Sequence, residues 1–171
     1  EISGLYNQLR EKEYILAPGV QDFIPAAPQT VPERHVIAAA SEYLGQFGNI
    51  NSVNIDDQYE RLSESMTPQL RAQFLAEGET WKARVKADNL TEVMAVIDKT
   101  IESDEKGNYR VVANVRTDSF VNNEHIGYRD EVVEMTMSLV PPEAGKRWYL
   151  QITSLSRTNR NSYKVKDQLS K

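Results

Sequence analysis

The stretch Tyr109-Arg110-Val111-Val112-Ala113-Asn114-Val115-Arg116 decides the fold of this 171-residue chain. Apolar and polar residues alternate along it, and only Val112 departs from the pattern. Alternation with a period of two is typical of a β-strand that buries one face and exposes the other. The stretch therefore predicts a strand of an antiparallel sheet with one solvated side.

Three more segments show the same period and surround this strand in sequence. They lie at about residues 91–102, 130–139 and 148–152, and the turns between strands fall at 104–108, 122–125 and 141–146. Turns this short join neighbouring antiparallel strands, so the sequence predicts a four-stranded meander. The residues predicted to face inward are Val93, Ala95, Ile97 and Ile101 in the first segment, Val133, Met135, Met137 and Leu139 in the third, and Trp148, Leu150 and Ile152 in the fourth.

Before the strands, apolar residues recur at helical spacing in three segments. The predicted helices cover about residues 32–47, 54–65 and 68–88. Thr67 and Pro68 mark the start of the third helix, because Thr is favoured as an N-cap and Pro in the first turn. The predicted fold class is therefore α+β, with three N-terminal helices that cover one face of a four-stranded antiparallel sheet.

The remainder of the chain divides into an N-terminal segment and a tail. Residues 1–31 combine a narrow helical stripe with a Pro-rich stretch, which predicts a stalk followed by an extended leader. Residues 32–157 form one predicted domain, and residues 158–171 form a polar, basic tail. The chain starts at Glu1 rather than Met, so we expect a longer protein from which this segment comes.

Composition excludes several classes of function. The net charge is −5, which argues against direct DNA binding, because phosphate recognition needs clustered Lys and Arg. The chain has no cysteine and therefore no disulfide, thiolate metal site or cysteine nucleophile. The sequence has no P-loop, HExxH, Rossmann or GxSxG motif. We therefore expect no enzymatic activity, no catalytic residue, no metal site and no cofactor.

Isolated polar residues point to solvated surface rather than to chemistry. His35 and His125 are the only histidines, and neither has a partner at metal-ligand spacing. The acidic residues at 56, 57, 60 and 64 are expected to form a solvated helix face. By alternation, Asp118 and Asp130 fall on the sheet face opposite the helices, away from any pocket between helices and sheet.

The outer face of the predicted sheet carries the best interaction signal. Simple alternation places several apolar residues on that face, and an apolar patch of this kind marks protein interfaces. The predicted partner-binding residues are Met94, Val96, Val112, Val132 and Tyr149. We expect weak self-association through this face or through the first helix.

The order of these elements resembles a known family. An extended leader, residues 14–19, precedes the helices; Met66-Thr67-Pro68-Gln69-Leu70 opens the third helix; and Arg147-Trp148-Tyr149-Leu150-Gln151-Ile152 lies in the last strand. This layout resembles the periplasmic domain of the TraE and VirB-eight-like inner-membrane proteins of conjugative type IV secretion systems. The family often has an Asn-Pro-x-Gly-aromatic sequence after the last strand, whereas this chain has Asn159-Arg160-Asn161-Ser162-Tyr163, without the Pro and the Gly.

The resemblance implies a fold like that of nuclear transport factor two, with a curved sheet wrapped around helices. It also implies a membrane helix upstream of Glu1 and a periplasmic location. The function it implies is a non-enzymatic scaffold that contacts further copies of itself and other secretion-channel subunits, as a dimer or larger homo-oligomer.

A rival function is open on the same fold, because fold alone does not decide function. The domain could be a small-molecule-binding protein or an enzyme with a pocket between helices and sheet. A convergent polar pocket would support this alternative, and an inner space filled by Phe74, Trp81 and Trp148 would contradict it. The basic tail suggests a third function, nucleic-acid binding, which the negative net charge of the chain disfavours.

Overall fold

The computed structural model describes residues 31–141 and 149–162. In these residues, three helices precede four strands that form one antiparallel sheet in the order β1-β2-β3-β4. The elements are α1 (Glu33–Gly48), α2 (Ile55–Glu64), α3 (Pro68–Ala87), β1 (Leu90–Ser103), β2 (Asn108–Val121), β3 (Glu124–Leu139), β4 (Leu150–Asn159) and a short 3-10 helix (Arg160–Ser162). The predicted α+β fold class is confirmed.

Some predicted features lie outside the described residues. These are the stalk and most of the leader (residues 1–30), Trp148, and the tail from residue 163 onward. Strand β4 continues to Asn159, two residues beyond the predicted end of the domain. None of the described helices is long and apolar enough to cross a bilayer.

Local sequence signals set the element boundaries. Thr67 caps α3, since its Oγ1 accepts a hydrogen bond of 3.3 Å from the Leu70 amide, and Pro68 occupies the first turn as predicted. Gly107 adopts a φ of 81° in the β1–β2 turn. Asn122 and Asn123 both have positive φ, which is typical of a two-residue type I′ hairpin, so the β2–β3 turn is shorter than predicted.

Each pair of neighbouring strands contains one register shift. The register of β1 on β2 passes from Val96 to Asp98, so Ile97 is an extra residue without a partner. The equivalent extra residues are Ile126 in β3 and Thr153 in β4. Extra residues of this kind are β-bulges, which bend the bulged strand and increase its twist.

The bulge at Ile97 makes part of the sequence prediction wrong. Before it, residues with even numbers face inward, because Glu92 pairs with Ser119 and Met94 pairs with Thr117, both of which are buried. After it, Ile101 faces inward opposite Val111. Uninterrupted alternation placed Val93, Ala95 and Ile97 on the inner face as well, but all three are exposed.

Connections between helices hold both edges of the sheet. Ile50, after α1, exchanges backbone hydrogen bonds of 3.1 and 2.8 Å with Glu92 in β1. At the opposite edge, Ser65 and Thr67 make bonds of 2.7 and 3.0 Å with the backbone of Ile152 in β4. These contacts fix the helices over the inner face, where α1 supplies much of the main core.

The end of α1 packs tightly on β1. A Cβ atom at Gly48 would lie 2.5 Å from the Cβ atom of Met94, so the space beside this glycine admits no side chain. Gly45, one turn earlier in the same helix, has no such neighbour closer than 3.9 Å. The contact between Gly48 and Met94 therefore depends on the inward direction of Met94.

We predict opposite effects for alanine at these two glycines. Gly48→Ala should lower the free energy of unfolding by about 1–3 kcal/mol, because the new methyl group collides with a side chain that cannot move away. Gly45→Ala should raise it by about 0.5–1 kcal/mol, since alanine is the better helix former. Urea unfolding of both variants measures the difference; equal effects would contradict the inward placement of Met94.

Candidate functional site

A cavity of about 650 Å³ lies between the helices and the inner face of the sheet. Its helical side is aromatic and its sheet side is charged. The aromatic wall consists of Phe47, Tyr59, Phe74 and Trp81, and the charged floor consists of Glu92, Ser119, Arg129, Glu131 and Arg157. A cavity of this size is within the range of small-molecule sites, which combine apolar walls with a few convergent polar groups.

The aromatic wall comes from all three helices. The rings of Tyr59 and Phe74 lie 4.7 Å apart between centroids, and Phe47 lies 6.3 Å from Phe74. Gly78 leaves room for this arrangement, since a Cβ atom there would be 3.3 Å from the Tyr59 ring. Burial raises the pKa of the Tyr59 phenol to about 12, so this side chain is neutral at physiological pH.

Helix α3 is less buried than its sequence predicts. Val85 is buried as expected, but Leu70, Phe74 and Trp81 are only half-buried. Phe74 and Trp81 border the cavity, which explains why they are half-buried. Their side chains line the inner space and do not fill it. A filled inner space would have contradicted a pocket, and neither Phe74 nor Trp81 fills it.

Glu92 is at the centre of the charged floor and is only 1% exposed. Its Oε2 accepts hydrogen bonds from Ser119 Oγ at 3.0 Å and from Arg129 Nη1 at 2.7 Å. Backbone hydrogen bonds to Ile50 fix the main chain of Glu92 at the edge of the sheet. The hydrogen bond from Arg129 to the Glu92 carboxylate raises the pKa of the Arg129 guanidinium above its ordinary value.

A second ion pair lies beside the first. Arg157 Nε donates to Glu131 Oε1 at 3.0 Å, and Arg157 Nη2 donates to Thr117 Oγ1 at 3.1 Å. The guanidinium also lies 5.3 Å from the ring centroid of Phe47, at cation–π distance. The two pairs are linked, because Arg129 Nε lies 3.5 Å from Glu131 Oε1.

One oxygen of this network has no hydrogen-bond donor. Among the described residues, nothing donates a hydrogen bond to Glu92 Oε1, although the atom is fully buried. The nearest cation is Arg157 Nη2 at 3.8 Å, which is too far for a hydrogen bond. A buried carboxylate oxygen without a donor is unusual and costly, so this atom needs an explanation.

Sequence analysis did not predict this network. The inner face was identified from apolar residues, and uninterrupted alternation puts Glu92 opposite that face, because the bulge at Ile97 is invisible in the pattern. A usable signal was present in β3, where the inward series Val133, Met135, Met137 extends back to Glu131 and Arg129. Charged residues that continue a buried apolar series indicate an internal polar site.

The predicted partner-binding residues lie in four different environments. Met94 is 8% exposed and faces inward, so its predicted place on the outer face is wrong, and the bulge at Ile97 is the reason. Val96 precedes the bulge opposite Val115 and is 40% exposed at the sheet edge. Tyr149 lies before β4, with a φ of 58°.

Val112 and Val132 do lie on the outer face, but this face is not an apolar patch. Val132 is only 3% exposed, because Asp130 and Glu134 flank it on β3 and hold the long side chains of Arg116 and Arg110 above the strand. The face is a ladder of cross-strand polar pairs, which are Arg110–Glu134, Asn114–Asp98, Arg116–Asp130 and His125–Asp118.

Exposed apolar side chains are concentrated instead on the edge strand. Val93, Val96 and Ile97 of β1 are 48%, 40% and 60% exposed. Two further exposed apolar side chains lie near the β2–β3 hairpin: Ile126, which borders the cavity, and Tyr128, whose ring lies 4.1 Å from the Arg116 guanidinium on the outer face. We call the group Val93, Val96 and Ile97 the β1 edge surface.

The other polar candidates have surface roles. His125 Nε2 contacts Asp118 at 2.8 Å on the outer face. Asp56 binds Lys86, and this hydrogen bond lowers the pKa of the carboxyl group. Within residues 31–141 and 149–162, no three His, Asp or Glu side chains are close enough to hold a metal ion.

Comparison with known proteins identifies the fold. VirB8 of Agrobacterium tumefaciens matches with a TM-score of 0.63 at 11% identity, over 77% of this chain and 95% of that one. The soluble domain of the TrwG type IV secretion machinery of Bartonella grahamii matches with a TM-score of 0.61 at 15% identity, over 77% and 97%. The chain has the VirB8 fold.

A third structure with this fold was solved with a ligand. TraE, in complex with 2-(2-furyl)isonicotinic acid, matches with a TM-score of 0.59 at 10% identity, over 75% of this chain and 97% of that one. No protein-family model matches the chain, and no curated protein matches it in sequence. At these identities the likeness establishes the fold, and the function has to be argued from the molecule.

We predict that the charged floor contributes to stability and that the outer ladder does not. Arg157→Met should lower the free energy of unfolding by about 2–4 kcal/mol, because it leaves buried acceptors on Glu131 and Thr117 without their donor. Arg116→Met, which removes the bidentate partner of Asp130 at the exposed outer face, should leave the free energy of unfolding nearly unchanged, because solvent screens this pair. Urea denaturation compares the two variants, and equal losses would contradict the distinction.

Proposed function

We propose that this chain is a periplasmic subunit of a bacterial conjugative type IV secretion system. In this proposal it acts as a non-enzymatic scaffold that contacts other copies of itself and other channel subunits. The observation that carries the proposal is the shared fold, which spans 95% of VirB8 and 97% of the TrwG domain. A membrane helix upstream of Glu1 would anchor the domain at the inner membrane.

The chemistry of the described residues supports a scaffold. The two buried carboxylates of the floor, Glu92 and Glu131, are paired with arginines, and the histidine of the outer face is paired with Asp118. This arrangement suits rigidity more than proton transfer, because these groups are held by ion pairs. The net charge of −5 supports protein contacts over direct contacts with DNA.

For self-association we propose the β1 edge surface, with a second copy of this chain as the partner. The outward backbone groups of Glu92 and the Met94 amide already bond to Ile50 and Asn49, so the pairing we propose begins beyond them. From there the edge strand offers backbone groups that can pair with another strand, and two copies of one edge can form a self-complementary antiparallel contact. Val96, one of the predicted partner-binding residues, contributes to this surface, whereas Met94 and Val132 are buried. The surface is small, which fits an association that is weak in isolation.

We predict that Ile97→Lys weakens self-association. A lysine at this position places a charge at the centre of the contact and opposes a second lysine across the two-fold axis. Val53→Lys is the control, because Val53 is an exposed apolar residue (90%) that lies neither on the β1 edge surface nor in the lining of the cavity. Sedimentation velocity over a concentration series should show association of the control and the unmodified chain, and monomers for Ile97→Lys.

The same variants test the function in cells. In the native host, loss of the gene should abolish conjugative transfer, the Val53→Lys protein should restore it, and the Ile97→Lys protein should restore it poorly. Normal transfer without the gene would refute the secretion-system proposal. Full restoration by Ile97→Lys would refute only the assignment of the contact to the β1 edge surface.

The cavity favours a second candidate function, the binding of a small molecule by the same domain. Its aromatic wall and convergent charged floor form the polar pocket that this alternative requires. The TraE structure with 2-(2-furyl)isonicotinic acid shows that a domain with this fold can be crystallised with a small aromatic compound. Both functions can coexist, because the β1 edge surface does not line the cavity.

A further inference from the structure

We infer that the cavity between α3 and the sheet binds a small planar ring that carries an N–H donor, such as an aromatic amide or amidine. This inference rests on the small-molecule candidate and adds the chemical class of the ligand. It follows from three features of the cavity: the Glu92 oxygen that has no hydrogen-bond donor, the pairing of both arginines with carboxylates, and the aromatic wall.

The unpaired oxygen determines the polar group of the ligand. Glu92 Oε1 is buried in the floor and accepts no hydrogen bond from any described residue, while Oε2 of the same carboxylate is saturated by Ser119 and Arg129. A carboxylate oxygen only accepts hydrogen bonds, so the missing partner is a donor. A donor at this position would remove the desolvation cost of the orphaned oxygen.

The arginines in the floor do not favour an anion. Arg129 binds Glu92 and Ser119 and lies close to Glu131. Arg157 binds Glu131 and Thr117, and its Nη2 lies 3.8 Å from Glu92 Oε1, within ion-pair distance but beyond a hydrogen bond. Both cations are therefore neutralised by buried carboxylates. An anionic ligand would have to compete with Glu92 and Glu131 for these groups and would repel the unpaired oxygen.

The aromatic wall determines the body of the ligand. Phe74 and Trp81 border the cavity from α3, and Tyr59 lies behind Phe74 at a centroid distance of 4.7 Å. Aromatic side chains favour stacked or edge-on contact with a second ring. The volume of about 650 Å³ accommodates a single ring with room for substituents.

Three probes of equal shape test the ligand class. Benzamidine, benzamide and benzoate share one ring and differ in the head group, which is a cationic donor, a neutral donor and an anionic acceptor. In saturation-transfer NMR with the complete chain, benzamidine and benzamide should bind more tightly than benzoate, by about tenfold for benzamidine, because a hydrogen bond to a charged group is among the stronger ones. Preferred binding of benzoate would overturn the ligand class but leave small-molecule binding intact.

Variants locate the binding in the cavity. Glu92→Gln should remove most of the preference for benzamidine over benzoate, whereas Glu79→Gln should keep it, because Glu79 is an exposed carboxylate of α3 that does not line the cavity. Trp81→Ala removes part of the aromatic wall at a half-buried position and should weaken the binding of benzamidine and benzamide. This variant tests the location of the site even if Glu92→Gln fails to fold. If no probe binds the unmodified chain, as expected when water alone satisfies Glu92 Oε1, both the inference and the small-molecule candidate fail, while the scaffold proposal stands.

Discussion

Ile97 is one extra residue in β1, and the division between the inside and the surface of this domain depends on it. Before the bulge, Glu92 and Met94 face the helices, and after it Ile101 does. The apolar residues between them, Val93, Val96 and Ile97, consequently remain exposed at the edge of the sheet. This register shift thus places Glu92 in the charged floor of the cavity and leaves the β1 edge surface exposed, while the bulge at Thr153 turns Arg157 toward the same floor.

The two faces of the sheet use charged pairs in different ways. On the outer face, Arg116 and Asp130 remain in contact with solvent, where an ion pair contributes little to stability. On the inner face, Glu92 and Glu131 are buried and need Arg129 and Arg157 as partners. Apolar residues of similar volume often fill such a space at equal or lower cost in stability, so these buried charges are not explained by stability alone.

Much of the fold was predictable, because each helix and strand has a local signal that tertiary contacts reinforce. Thr67-Pro68 marks the start of α3, and the alternation in β2 and β3 identifies their buried faces correctly. The phase of β1 was not predictable, since the apolar run from Val93 to Ile97 is compatible with either face. The site was missed for the same reason, because assigning Glu92 inward requires knowledge of the bulge.

The position of the bulge can be measured directly, because the chain contains no cysteine and single cysteines can be introduced one at a time. A regular strand places residues 95 and 101 on the same face, whereas the bulge places Ala95 outside and Ile101 inside. In labelling with a thiol reagent under native conditions, the Ala95→Cys protein should therefore react much faster than the Ile101→Cys protein. Equal rates at these two positions would contradict the bulge, and with it the placement of Glu92 in the cavity and of Ile97 at the edge.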